Sequence, residues 1–212
     1  ARRMLVPIGW SSATLTARLI KKKHEKGKVV FIGPCAAKKL EAMRTSVRSD
    51  VDFVLTFQEI QQIFGFTGIN PADLPEDDRD HSSRAGRIYA RAGGVSEAVS
   101  DTLQRLNPDR PVSIKAQCAD GIPACRQMIA DLQEGRTSAN FFEGMGCVGG
   151  CVGGPKVLIP REEGRAHVEH YGQEAIYPTP IDNPYVIELL HRLGLDSVED
   201  LLEKSDLFTR NF

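Results

Sequence analysis

Hydrophobic and polar positions change in blocks along the chain, and the blocks predict helix and strand in turn. Residues 13–23 set Leu15, Leu19 and Ile20 among Arg18, Lys21, Lys22 and Lys23, the pattern of a surface helix. Gly27 ends it, and the run from Val29 to Ile32 is wholly apolar, which predicts a buried strand of a parallel sheet. Pro34 stops that strand. Cys35 therefore falls where a strand's C-terminal end turns into the next element, the rim at which open α/β sheets bind ligands.

The alternation continues. Phe53, Val54 and Leu55 predict a short strand, followed by a helix over 57–64. Residues 65–92 carry Gly, Pro and the charge cluster Glu76, Asp77, Asp78, Arg79 and Asp80, and read as a long surface loop, the seam between two lobes. Gly93 and Gly94 open a helix with Val95, Ala98, Val99, Leu103 and Leu106 on one face. Residues 112–116 read as a strand, and Pro123 starts a helix whose inner stripe is Cys125, Met128, Ile129 and Leu132. Residues 140–143 are the next strand and lead into Cys147. From Arg161 onward the pattern is helical and polar. Pro178, Pro180 and Pro184 interrupt it, and 186–190 and 198–202 form two closing helices.

The fold class predicted is α/β: two lobes of mainly parallel sheet flanked by helices, cysteines at strand C-terminal ends, and a helical C-terminal tail. With 212 residues, there is length for one large domain or two small lobes. A formal net charge of −1 gives no bulk attraction to nucleic acid or to an anionic membrane. No apolar run reaches the roughly 20 residues of a membrane-spanning helix. The expected picture is a cytoplasmic protein with neither nucleic acid nor membrane as a partner.

Five cysteines, an odd number in a chain that is not small and loop-rich, read as reduced thiols rather than a disulfide framework. Gly146-Cys147-Val148-Gly149-Gly150-Cys151-Val152-Gly153-Gly154 offers two thiolates four residues apart among five glycines. Glycines let the backbone bend tightly and leave amide N–H groups free to point at sulfur, where donors stabilise an iron–sulfur cluster and raise its potential. Zinc suits the pattern less, since its structural sites show paired Cys-x-x-Cys or Cys/His spacings. The five histidines are scattered, and His167 and His170, one turn apart, read as a solvated helix face. Cys125 reads as a packed thiol. Cys118 is more open and could serve as a ligand or proton donor.

Pro34-Cys35-Ala36-Ala37-Lys38-Lys39-Leu40-Glu41-Ala42 resembles the second cluster-binding motif of iron-only (FeFe) hydrogenases. Phe142-Glu143-Gly144-Met145-Gly146-Cys147, continuing to Gly154, resembles their third. Asp52 to Thr56 and Ala92 to Ala98 agree as well, so the resemblance runs in register from about Leu5 to Pro155. It implies a 4Fe–4S cubane joined through one thiolate to a two-iron subsite carrying CO, cyanide and a bridging dithiolate. Cys35 and Cys147 would be cubane ligands, and Cys151 the ligand bridging to the two-iron subsite. Lys38 matches the lysine that hydrogen-bonds a cyanide ligand, expected as a buried ammonium, while Lys39 suits the surface. Glu41 would position Lys38, and Met145 matches a methionine beside the two-iron subsite, with ordinary core packing as the equal alternative. Gly149, Gly150 and Gly153 are taken as cofactor-binding. Residues 1–155 are then a hydrogenase-like cluster-binding domain, and 156–212 its helical extension. Electron partners implied are ferredoxin or an upstream ferredoxin-like domain, with maturation proteins loading the cluster in an anaerobic setting.

The sequence also departs from that family. Its first motif, of Thr-Ser-Cys-Cys-Pro type, should supply the fourth cubane ligand and a proton-delivering cysteine, yet no cysteine precedes Cys35. Ala1 to Pro7 resembles the stretch just after that motif, so the chain reads as the C-terminal part of a longer protein and is expected to be inactive alone. Ser11 or Ser12 matches either a serine on the family's proton path or a helix N-cap, with the cap preferred. Gly33 stands where a methionine is usual, and the loop after Cys147 lacks the usual proline, both marks of a divergent subgroup. Reversible reduction of protons to dihydrogen is the leading expectation for the parent protein. Two alternatives are a hydrogen- or redox-sensing relative and a non-catalytic iron–sulfur assembly scaffold.

Overall fold

The computed structural model describes residues 11–44, 50–75 and 81–203. Ala1 to Pro7 and the charge cluster at 76–80 lie outside the described residues. The predicted class holds: among the described residues, two parallel sheets, each of two strands, are flanked by helices, and helices follow the second sheet.

In the first lobe, α1 (Ser12–Lys23) starts at Ser11, whose hydroxyl accepts the Thr14 amide. Strands β1 (Val30–Gly33) and β2 (Phe53–Thr56) pair in parallel, Val30 opposite Phe53 and Gly33 opposite Thr56. Between them lies α2 (Ala37–Ala42). Buried Ala17 of α1 and Val51 collect Val29, Phe31, Ala42 and Val54 into a small core on one side of the sheet. The opposite side is bare, with Val30 and Ile32 each 45% exposed and Phe53 61% exposed. The apolar run of β1 predicts burial on both faces. Here only one is covered, because the alternation of side chains across a two-stranded ladder gives α1 a single face to pack. Asp52 ties the lobe together: the ammonium of Lys21, the amide of Val29 and Lys28 hold its carboxyl far below the usual range. Helix α3 (Phe57–Thr67) has a reciprocal capping box between Thr56 and Glu59, and left-handed Gly68 ends it three residues beyond the predicted stop.

Residues 65–92 are not loop throughout. A short helix α4 (Arg84–Arg87) and the 3₁₀ turn Ile88–Ala90 bury Ala85 and Ile88 completely, so this part belongs to the second lobe's core. Helix α5 (Gly94–Leu106) follows as predicted. Gly94 is required there, since a Cβ would sit 1.9 Å from the Ile88 carbonyl oxygen.

Strand β3 (Ala116–Asp120) begins where the strand read from the sequence ends. Its register with β4 (Phe141–Met145) places Ala116 opposite Phe141 and Asp120 opposite Met145, and leaves Val112 63% exposed ahead of the sheet. Helix α6 (Ile122–Gln133) turns Met128 inward but leaves Ile129, assigned to the same stripe, 51% exposed. The N-terminus of α5 has no cap from its own turn. Instead the buried carboxylate of Glu143 on β4 accepts the Gly93 amide at 2.8 Å and the Ser96 amide at 2.7 Å, which satisfies two orphan donors and the positive end of the helix together.

The tail is α7 (Arg161–Gln173), α8 (Pro184–Arg192) and α9 (Val198–Glu203). His167 and His170 are exposed on α7 and face Glu163 and Glu174, as a solvated face requires. No helix among the described residues is long and apolar enough to cross a membrane.

Candidate metal centre

The three cysteines singled out in the sequence converge from the two lobes. Cys35 lies just past β1, Cys147 just past β4, and Cys151 opens a 3₁₀ turn, Cys151–Gly153. Cys35 and Cys147 thus stand at strand C-terminal ends. The lobes meet here through backbone: the Lys156 amide donates to the Pro34 carbonyl at 3.0 Å, and a Cβ on Gly154 would come within 2.7 Å of that same oxygen.

The thiols feel one another. Burial raises the Cys147 thiol, and the neighbouring Cys35 raises it further. Burial likewise pushes Cys151 up, although much of that residue's surface faces solvent, and Cys147 and Cys35 add to the shift. The Lys38 ammonium is near enough to pull Cys151 the other way. Three thiolates here would repel one another, and a cationic metal core removes that cost. All five cysteines are free thiols.

Lys38 is fixed from behind. Its Nζ donates to Glu41 Oε2 at 2.5 Å, and Thr14 of α1, fully buried, donates its hydroxyl to Glu41 Oε1 at 3.3 Å. Burial alone would raise the Glu41 carboxyl, but bonds from Lys38, Ser11 and Thr14 hold it below its ordinary value. Ser11 is the N-cap of α1, the role preferred from the sequence. The Lys38 side chain is 31% exposed rather than buried, because this lobe leaves it open on one side. Lys39 points elsewhere and pairs with Glu59 of α3.

The glycines of the cysteine loop behave differently from expectation. Their amides are engaged inside the protein: Gly149 N–H goes to Asp120 Oδ2 at 2.6 Å, Gly150 to the Cys147 carbonyl, Gly153 to that of Gly150 and Gly154 to that of Cys151. Among the described residues, the amide of Ala37 does reach a candidate ligand, 3.3 Å from Cys35 Sγ. Close packing explains the glycines. At φ +85° Gly150 lies in the left-handed region, and a Cβ there would meet the Ala92 nitrogen at 2.6 Å; at Gly153 one would meet the Val148 carbonyl oxygen at 1.9 Å. The loop is also pinned by an Ala92 N–H to Gly149 C=O bond and an antiparallel bridge between Arg91 and Gly150. Arg91 is buried and sits between Glu97 of α5 and Glu169 of α7, which outweigh the desolvation of its guanidinium.

Met145 ends β4, half-buried, and its carbonyl accepts the Gly121 amide and the Cys125 thiol. Cys125 is the packed thiol the sequence suggests, 3.3 Å from that oxygen. Cys118 is exposed and pairs with Ser96 Oγ at 3.1 Å. Sequence reasoning misses the parts played by Thr14, Arg91, Asp120 and Glu143. Of these, Asp120 alone has a local signal, an Asp before a Gly at a strand's end.

Does this donor set fit an iron–sulfur group? Three electrostatically coupled thiols, a Gly-rich turn and a cation beside Cys151 fit a cluster that carries negative charge on its sulfurs. Zinc would need every ligand within about 2.0–2.3 Å of one ion. Among the described residues no three or more of His, Cys, Asp and Glu are gathered to hold a single metal ion.

A family model described as "Iron only hydrogenase large subunit, C-terminal domain" matches residues 9–155. The periplasmic Fe hydrogenase large subunit of Nitratidesulfovibrio vulgaris is 28% identical over 190 residues, 73% of this chain and 45% of that protein. A probable cytosolic Fe-S cluster assembly factor of Aedes aegypti is 26% identical over 213 residues, 81% of this chain and 45% of that protein. Among solved structures, an apo FeFe-hydrogenase HydA1 variant from Chlamydomonas reinhardtii aligns with a TM-score of 0.61 at 20% identity, over 92% of this chain and 66% of that one. The chain thus spans less than half the length of these curated relatives.

Proposed function

The chain belongs to the iron-only hydrogenase family, in the C-terminal domain of the large subunit, and from that premise we propose that it forms part of the cluster-binding domain of a protein that reversibly reduces protons to dihydrogen. The observation that carries this reading is that Cys35, Cys147 and Cys151, brought from two lobes, lie near enough to raise one another's thiols, with Lys38 close to Cys151. Such a group, a 4Fe–4S cubane with a two-iron subsite, would supply the redox chemistry of proton reduction. Cys35 and Cys147 would hold the cubane, and Cys151 would be the thiolate shared with the two-iron subsite. Lys38, anchored by Glu41, would donate a hydrogen bond to a cyanide ligand of that group. Met145 fills space beside the site with a soft thioether. The Gly149–Gly150 turn and Gly153 shape the wall through their packing rather than through free amides.

Electron supply by ferredoxin or a ferredoxin-like domain, loading by maturation proteins and an anaerobic setting follow from the same reading. A cytoplasmic site is proposed from the five free thiols. The test is anaerobic reconstitution of this chain with iron and sulfide. The expected result is a charge-transfer absorption that is lost in Cys35→Ser, Cys147→Ser or Cys151→Ser. No bound iron in the parent chain overturns the reading. Hydrogen evolution is proposed for the whole protein, and evolution from the reconstituted chain alone would contradict the expectation that it is inactive.

A second reading rests on the Aedes aegypti relative: a non-catalytic iron–sulfur assembly factor that keeps the cubane without the two-iron chemistry. Infrared bands from CO and cyanide in matured whole protein support the hydrogenase reading, and a cluster without them supports the assembly factor.

A further inference from the structure

Asp120 ends β3, directly opposite Met145 in the ladder, and its Oδ2 accepts the Gly149 amide at 2.6 Å. Gly149 is the middle residue of the Cys147–Cys151 loop, two residues from either thiol-bearing residue. Two residues of chain span at most about 7 Å, so the backbone that this carboxylate holds lies within one loop's width of both thiol-bearing residues. The hydrogen bond is only half of its effect. The other half is the charge a carboxylate brings to the loop that joins Cys147 and Cys151.

The charges nearby do not cancel it. Arg161 packs its side chain against Gly149, but its guanidinium is paired with Glu162 at 2.5 Å. Arg91, whose backbone bridges to Gly150, is taken by Glu97 and Glu169. Lys38 is on the Cys151 side and is held by Glu41. Asp120 is thus bonded directly to the cysteine loop, and Arg161, Arg91 and Lys38 are each committed to another carboxylate, while Lys156 bonds the neutral Gln58 amide.

We infer that Asp120 is a positioning residue that also sets the site's reduction potential: it fixes the Cys147–Cys151 turn through the Gly149 amide and disfavours the reduced, more negative state by its charge. This rests on the cluster-binding reading above. Reduction adds negative charge to the site, and a fixed anion within a loop's width opposes that addition, the more so in a partly dehydrated wall.

The experiment compares the reconstituted chain with Asp120→Asn and Asp120→Ala by iron content and by a potentiometric titration read by EPR. Asn keeps an oxygen to accept the Gly149 amide and removes the charge. It is expected to load as the parent does, with reduction favoured about tenfold, a rise of about 59 mV for one electron. Ala also loses the hydrogen bond, so its loading is expected to fall as well. Equal potentials in the loaded parent and the Asn variant overturn the inference and leave the cluster reading standing. Where Asn does not load, Asp120→Ser, a smaller neutral acceptor, takes its place. If neither loads, Asp120 is a structural tie and its role in setting the potential is overturned. A parent chain that binds no iron overturns the cluster reading, and this inference falls with it.

Discussion

Thr14 and Glu41 join through a hydroxyl-to-carboxylate bond of 3.3 Å that crosses from the first described helix to the lysine beside the cysteines. Glu41 divides its oxygens, one to Thr14 and one to Lys38, so the direction of the Lys38 ammonium depends on a residue on another helix. Thr14→Val keeps the shape and removes the donor. A buried hydrogen bond of this kind contributes about 1 kcal/mol, more with a charged acceptor. Urea denaturation of the apo chain is expected to show a loss of about 1–2 kcal/mol for Val and a much smaller one for Ser.

Glu143 serves α5 from across the sheet, 50 residues from Gly93 in sequence. Glu143→Ala leaves the first-turn amides without that acceptor. The expected cost is about 2 kcal/mol, with Glu143→Gln in between because it retains one acceptor oxygen. Amide hydrogen exchange should localise the loss to Gly93 and Ser96. Equal protection in all three proteins would show that the carboxylate is not the cap.

Gly150→Ala must place a methyl group where backbone atoms already sit, at a positive φ. Gly135 shares the positive φ but has nothing within 4 Å of its missing Cβ. Gly135→Ala is therefore expected to cost about 1 kcal/mol from backbone strain alone, and Gly150→Ala several times that. Iron uptake should fall in the Gly150 variant and stay unchanged in the Gly135 variant.

Glu59 gives the acid behaviour a direction. Hydrogen bonds from Lys39, then from the Thr56 amide and hydroxyl, hold its carboxyl at about 2 against an ordinary 4.5. A carboxylate with a lower pKa folded than unfolded stabilises the fold above the unfolded value and ceases to do so as pH drops toward the folded one. Stability of the apo chain is expected to decline as pH falls through the window from about 4.5 to about 2. Glu59→Gln should show a shallower decline there, with little difference from the parent below it.

What the sequence makes legible is local. An apolar run stopped by Pro34 places Cys35 at a strand's end, Gly93 and Gly94 open α5, and Pro123 marks the start of α6. The strand predicted over 112–116 misses because parallel pairing with β4, not composition, sets where β3 starts. The buried turn around Ile88 stays hidden because its partners, α5 and α7, come later in the chain. At the site, the cysteines and Lys38 carry a local pattern, whereas Thr14, Arg91, Asp120 and Glu143 owe their places to partners 27, 59, 29 and 47 or more residues distant. Polar residues like these are ordinary in sequence and acquire meaning only when folding pairs them.

The origin of the proposed ligands in separate lobes has a thermodynamic side. Cys35 and Cys147 enclose more than a hundred residues of chain. A cluster held by both closes a ring of that size, and closing a long ring removes much of the freedom of the unfolded chain. Metal loading and folding would then be one linked equilibrium: each iron–thiolate bond across the lobes would also restrain every loop threaded between them, and loss of such a cluster would show first as a chain that breathes as two halves before it unfolds as one.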